Sequence, residues 1–172
     1  MQYGHFLDLT SNSTNHSGVS FVGCGSATPK QIIGNDQLGQ RVDTNNDWIQ
    51  SRTGISQRRV IGTDESLIDL ASEAALGAVN MAKWDVKTID LIILATSTPE
   101  DLFGSAPQIQ AKIGATNAVA FDLTAACSGF LFSLVTAAQY LISGSMKRVI
   151  VIGADQLSKW VNWDDRKTCV LF

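Results

Sequence analysis

Three cysteines, two histidines and a tryptophan–arginine pair are the residues of this 172-residue chain whose types and spacing could do chemistry. Cys24, Cys127 and Cys169 lie far apart, and no C-x-x-C occurs, so neither zinc-knuckle nor thioredoxin-type spacing is present. His5 and His16 both fall near the start, which leaves the body of the chain without a set of metal ligands; no metal is expected. Cys127 stands out. It follows Phe121-Asp122-Leu123-Thr124-Ala125-Ala126, a strand running into small residues, and precedes Ser128-Gly129-Phe130, the start of an apolar helix. A thiol at a strand-to-helix junction meets the positive end of the helix dipole, which favours the nucleophilic thiolate. Small neighbours leave room for a substrate. The alternative for any free cysteine is a small buried hydrophobe, and Cys24 and Cys169, in or beside apolar strand residues, read that way. Trp48 and Arg52 are four apart and share a face of one predicted helix. An indole beside a guanidinium suits either a clamp for a planar base or a surface cation–π pair.

The elements that must position these residues alternate from Gly18 onward. Val19 to Gly23 reads as a strand. Thr44-Asn45-Asn46-Asp47 resembles a capping box opening a short helix through Trp48 and Arg52. Ser66 to Ala82 is a helix with Leu67, Leu70, Ala71, Ala74, Ala78 and Met81 along one face. Asp90 to Ala95 is a buried strand, Ser105 caps a helix ending at Gly114, and Ala118 to Leu123 is a further strand. Ser128 to Ile142 is a nearly all-apolar helix stopped by Gly144; Lys147 to Gly153 and Thr168 to Phe172 are strands. Asp164-Asp165-Arg166-Lys167 reads as a solvated turn. Non-alternating strands between helices imply an α/β fold: a mixed, mostly parallel sheet with helices on both faces. A helix apolar nearly all round must be buried nearly all round, and one sheet covers a single face of the helix after Cys127. A second domain or partner chain must cover the rest.

Composition narrows the function classes. At 45% apolar and 17% charged residues the chain is globular rather than disordered. A net charge of −3 argues against a nucleic-acid partner. The longest aliphatic run, Val149 to Ile152, is far below the roughly 18 residues of a membrane span. Residues 1–17 are Ser-, Thr- and Asn-rich and lack the basic end of a secretory signal; they read as a flexible extension ahead of one domain over 18–172. Free thiols then point to a reducing compartment, the cytoplasm. Gly23-Cys24-Gly25 lacks the third glycine of a dinucleotide fingerprint, and no phosphate loop or G-x-S-x-G elbow occurs.

Asp43-Thr44-Asn45-Asn46-Asp47-Trp48-Ile49-Gln50-Ser51-Arg52-Thr53-Gly54-Ile55 resembles the D-T-x-x-x-W-I-x-x-R-T-G-I signature of the β-ketoacyl-acyl carrier protein synthase III family, and Ala125-Ala126-Cys127-Ser128-Gly129-Phe130 resembles its nucleophile segment. Ala95-Thr96-Ser97-Thr98-Pro99 and Asp164-Asp165-Arg166-Lys167-Thr168 follow in the family's order, and the stretch around Trp160 and Trp163 is similar to its cyanobacterial and plastid branch. The resemblance implies a thiolase-like fold of two similar halves with buried central helices, of which this chain is the N-terminal one, cut off at its C-terminal end. It implies condensation of a short acyl-CoA, typically acetyl-CoA, with malonyl-acyl carrier protein, the two substrates serving without a further cofactor. Cys127 would carry the acyl group. Trp48, Arg52 and Arg166, near Thr44, would hold the CoA adenine. Leu157 and Phe172 would line the acyl pocket, and Phe103 would reach into a partner's pocket across a homodimer interface. The family's catalytic His and Asn belong to the other half, as does most of its basic surface for acyl carrier protein, so no appreciable condensation is expected of these 172 residues alone. Alternatives are a fragment acting only by association, another CoA-dependent condensing enzyme of the thiolase superfamily, such as a chalcone-synthase-like one, and a flavodoxin-like domain.

Overall fold

The computed structural model describes residues 18–171, so the expectations for residues 1–17 and for Phe172 lie outside the described residues. The centre is β3 (Leu91–Ala95), whose five residues are all buried. β4 (Val119–Leu123) and β5 (Val149–Gly153) flank it, both parallel to it, with Leu91 facing Val119 on one side and Val149 on the other. Alternate residues of β3 point to opposite faces. Ile92 and Leu94 join the cluster beneath α3 (Leu67–Ala82) and α4 (Ala106–Ile113), while Leu91 and Ile93 join the one beneath α5 (Gly129–Ile142). Each such fully buried aliphatic side chain contributes roughly 1.5–3 kcal/mol. The expected α/β layer with helices on both faces is therefore formed, and where a mixed, mostly parallel sheet is expected, its three described strands all run parallel.

A second group of elements, unannounced by periodicity, packs beside the sheet. β1 (Gln31–Gly34) and β2 (Gln57–Val60) pair antiparallel. With α1 (Asn35–Gly39), α2 (Asn46–Thr53) and the short α6 (Arg166–Cys169) they surround Leu38, Ile49, Cys169 and Val170.

Several local expectations are corrected. Val19 to Gly23 forms no strand: Val19, Phe21 and Val22 are exposed, and the segment lines a cavity of about 1070 Å³ together with β5, the outer strand of the parallel sheet. An apolar run becomes a strand only with a ladder partner. The strand expected from Thr168 does not form over Thr168 to Leu171, because Asp165 accepts from the Lys167 amide and caps the turn of helix that runs through Cys169. In α3 the buried line is Leu67, Ala71, Ala75 and Val79; Met81 is exposed, with its sulfur against Cys24. Cys24 is correspondingly an exposed thiol rather than a core residue, whereas Cys169 is buried as expected. α2 is capped by Asn45, whose side chain accepts from the Trp48 amide, so the cap lies one residue later than the Thr44-based box. No helix among the described residues is long and apolar enough to cross a membrane.

Candidate functional site

Each strand of the parallel sheet delivers polar or reactive groups at its carboxyl end, the edge where open α/β sheets place their ligands. After β4 the chain makes a tight 3₁₀ turn over Ala126–Ser128 and enters α5. Ala126 takes φ +47°, a left-handed conformation that costs a non-glycine residue of order 1 kcal/mol or more. This bend turns Cys127 out of the strand direction at the head of a fourteen-residue helix, with its side chain exposed. Gly129, the first residue of α5, is buried; a Cβ there would lie 3.4 Å from the Ala95 Cβ, so its small size lets the helix seat directly on β3.

Beside this turn, Asp155 gathers the ends of β3 and β5. One of its carboxylate oxygens accepts from the Thr96 hydroxyl at 3.2 Å, the Ser97 amide at 2.7 Å and the Thr98 hydroxyl at 3.1 Å. The Thr98 hydroxyl in turn accepts from the Gln156 amide at 2.8 Å. Asp122, inside β4, plays a similar part for α4: its two oxygens accept from the Ser105 and Ala106 amides at 2.8 and 2.7 Å. Ser105 occupies the cap position as expected, yet its hydroxyl bonds the Glu100 amide and the α4 donors go to Asp122 instead. Sequence reasoning singled out neither aspartate. The available signal was that hydroxyl residues and an aspartate each directly follow a strand in a parallel sheet, which brings them to one edge.

Trp48 and Arg52 share a face of α2, as their four-residue spacing predicts. Ile49, fully buried, anchors α2, and Trp48 is half-buried above the Leu38–Val170 cluster. The Arg52 guanidinium carbon lies 4.8 Å from the centroid of the Trp48 ring and that of Arg166 lies 4.2 Å from it. Arg166 thus meets Trp48 from the other end of the chain, brought there by α6. Thr44, just ahead of the Asn45 cap, has a buried hydroxyl oxygen with no hydrogen-bond partner. A planar aromatic ligand on an indole framed by two guanidiniums would gain stacking and charge contacts.

The remaining expected residues are not drawn together. Phe103 is 89% exposed beside the equally bare Leu102, and it lines neither described cavity. Leu157 sits in a 3₁₀ turn and lines a smaller cavity of about 440 Å³ with Asp155 and Trp163, whereas Cys127 lines the larger one. No enclosed acyl pocket joins these residues to Cys127 among those described. Of the other thiols, burial pushes Cys169 up from the ordinary range, with the neighbouring Arg58 charge opposing. Among the described residues no cluster of three His, Cys, Asp or Glu side chains could hold a metal.

Comparison with known proteins places this arrangement. The family model for 3-oxoacyl-[acyl-carrier-protein] synthase III matches residues 121–172, a stretch that includes Cys127 and Arg166. A β-ketoacyl-[acyl-carrier-protein] synthase III of Prochlorococcus marinus (strain NATL2A) is 79% identical over 164 residues, which is 95% of this chain and 48% of that protein. The crystal structure of 3-oxoacyl-[acyl-carrier-protein] synthase III from Aquifex aeolicus VF5 superposes with a TM-score of 0.87 at 44% identity, over 90% of this chain and 50% of that one. The priming β-ketosynthase of the R1128 polyketide biosynthetic pathway superposes at 0.85 with 32% identity, over 88% and 46%. The chain spans about half the length of the curated relatives it matches. Its α/β layer is the thiolase-like fold of these enzymes. A strained cysteine turn and a tryptophan–arginine signature held on such a layer, at this level of identity, assign the chain to the β-ketoacyl-[acyl-carrier-protein] synthase III family.

Proposed function

We propose that this chain supplies the acyl-accepting and CoA-binding part of a β-ketoacyl-acyl carrier protein synthase III, which condenses a short acyl-CoA with malonyl-acyl carrier protein. The observation that carries the reading is Cys127, exposed on a strained turn at the head of α5 inside the region matched by the family model. In the first step the Cys127 Sγ bonds to the acyl carbonyl carbon. The carbon–sulfur bond to CoA breaks, and the proton of the cysteine ends on the departing CoA thiol. In the second step the malonyl carboxylate leaves as carbon dioxide, the electron pair it leaves behind forms the new carbon–carbon bond to the acyl carbonyl carbon, the bond from that carbon to Sγ breaks, and the Cys127 thiolate takes up a proton from water. The scheme requires the two thioester substrates and no further cofactor. Trp48, Arg52, Arg166 and Thr44 hold the CoA adenine end; Leu157, Phe172 and a partner's Phe103 shape the acyl pocket in a cytoplasmic homodimer. The second step needs donors for the developing oxyanion, each worth roughly 3 kcal/mol; the family resemblance assigns them to a His and an Asn, and no histidine occurs in residues 18–172.

Incubating the full-length protein with acetyl-CoA and reading intact mass and peptide maps tests the reading. The expected result is one acetyl group on Cys127, abolished in Cys127→Ala. Acetylation confined to the exposed Cys24, or none at all, would overturn it.

A further inference from the structure

The buried charge in this fold that the acyl-transfer scheme leaves unused is Arg58, on β2 and 6% exposed. Its guanidinium bridges two elements. Nη1 donates to Asn35 Oδ1 at 2.8 Å, and Nη2 donates to the Val170 carbonyl at 2.7 Å. Asn35, 2% exposed, passes the link onward: its Nδ2 donates to Asn46 Oδ1 at 3.1 Å and to the Ile55 carbonyl at 2.7 Å. Asn46 is the first residue of α2, which carries Trp48 and Arg52. Val170 caps the C-terminus of α6, which carries Arg166. One fork therefore ties together the two elements whose side chains meet over the Trp48 ring.

We propose that Arg58 is a positioning residue for the CoA clamp, fixing through Asn35 and the Val170 carbonyl the placement of α6 against α2 that sets Arg166 over Trp48. The proposal rests on the reading of Trp48 and Arg166 as the adenine site.

Apolar packing does not suffice for this task. Leu38, Ile49, Cys169 and Val170 already hold α2 and α6 together, but apolar contact is non-directional and tolerates sliding. A slip of one helical residue moves a side chain by about 1.5 Å along the axis, a large fraction of the 4.2 Å between the Arg166 guanidinium and the ring centroid. A planar guanidinium that meets its acceptors at fixed angles, the Asn35 oxygen and the Val170 carbonyl among them, resists that slip, as a lysine or an apolar side chain would not. Burying a charge is costly, and apolar replacements of buried ionic groups are often no less stable, so stability alone is a weak account of an arginine here.

The test compares two acyl donors on the full-length protein, acetyl-CoA and acetyl-pantetheine, which carries the same thioester without adenine. Acylation of Cys127 is followed by mass. Arg58→Met is expected to raise KM for acetyl-CoA about tenfold, the size of one misplaced stacking contact, with kcat unchanged and acetyl-pantetheine unaffected. Arg58→Lys falls between, and Arg58→Met combined with Trp48→Ala is no worse than Trp48→Ala alone. Should Arg58→Met fail to fold, Asn46→Ala removes the α2 end of the relay at a half-buried position; it is expected to raise KM about threefold, again for acetyl-CoA only. Equal loss with both donors in these variants, or no loss with acetyl-CoA while Trp48→Ala raises its KM, would overturn the positioning role alone. An unchanged acetyl-CoA KM in Trp48→Ala would overturn the adenine reading and the role of Arg58 with it.

Discussion

Asp90 joins all three strands of the parallel sheet at their amino ends. Its carboxylate accepts from the Lys147 and Arg148 amides at 2.7 and 2.9 Å, its own amide donates to the Arg148 carbonyl, and its carbonyl accepts from Val119. The backbone donors of Lys147 and Arg148 hold its pKa below the ordinary carboxylate value, with partial burial opposing. A carboxylate depressed in the folded state contributes stability that is fully present above its unfolded pKa, about 3.9, and lost as pH falls through the lower folded value. Asp90→Asn is expected to cost about 1 kcal/mol at pH 7 and to flatten the loss of stability below about pH 4. Urea unfolding of both proteins across that range checks it; parallel pH profiles would contradict the assignment. At this scale the sequence was most legible where partners are close along the chain. Trp48 and Arg52 share a face because they are one helical turn apart. The Arg166 contact, the Arg58 fork and the Asp155 hub join residues far apart in sequence, and no local spacing announces them.

Among the elements, α5 depends on one small residue. The Cβ that Gly129 lacks would stand in contact with the Ala95 Cβ, at 3.4 Å, so the two further methyl groups of a valine would press on the buried seat of the helix. Gly129→Val is expected to destabilise the fold by about 1–3 kcal/mol through overpacking and to slow alkylation of Cys127 by shifting the helix head. Urea midpoints together with iodoacetamide labelling rates check both effects; an unchanged midpoint would show that the helix seats differently. The strongly periodic elements α3, β3, β4, α5 and β5 were readable from their apolar pattern. β1 and β2 were not, because Gln57-Arg58-Arg59-Val60 carries a charged pair where a strand pattern expects apolar residues. The errors at 19–23 and 168–171 have the opposite origin. Both segments carry strand-like residues, but pairing in one and the Asp165 cap in the other decide the outcome, and neither is a property of the run itself.

For the molecule as a whole, the apolar helix after Cys127 meets the sheet on one side only. Ser133 and Ala137 are buried, while Phe130, Leu131, Phe132, Val135 and Ile142 are 48% to 63% exposed. A contiguous surface of that kind drives association. Residues 1–172 expressed alone are expected to self-associate and bind hydrophobic dyes, and light scattering decides the matter: a monodisperse monomer would contradict it. The same sheet carries a consequence for how the chain comes to be folded. The central strand β3 pairs only with strands made after it, and each pairing is parallel, reached by a crossover rather than a hairpin. During synthesis β3, β4 and all of α5 emerge before β5 exists to complete the layer. The most apolar helix among the described residues must therefore wait, unsheltered, for the residues that end at Gly153, a slow and aggregation-exposed interval in the making of this fold.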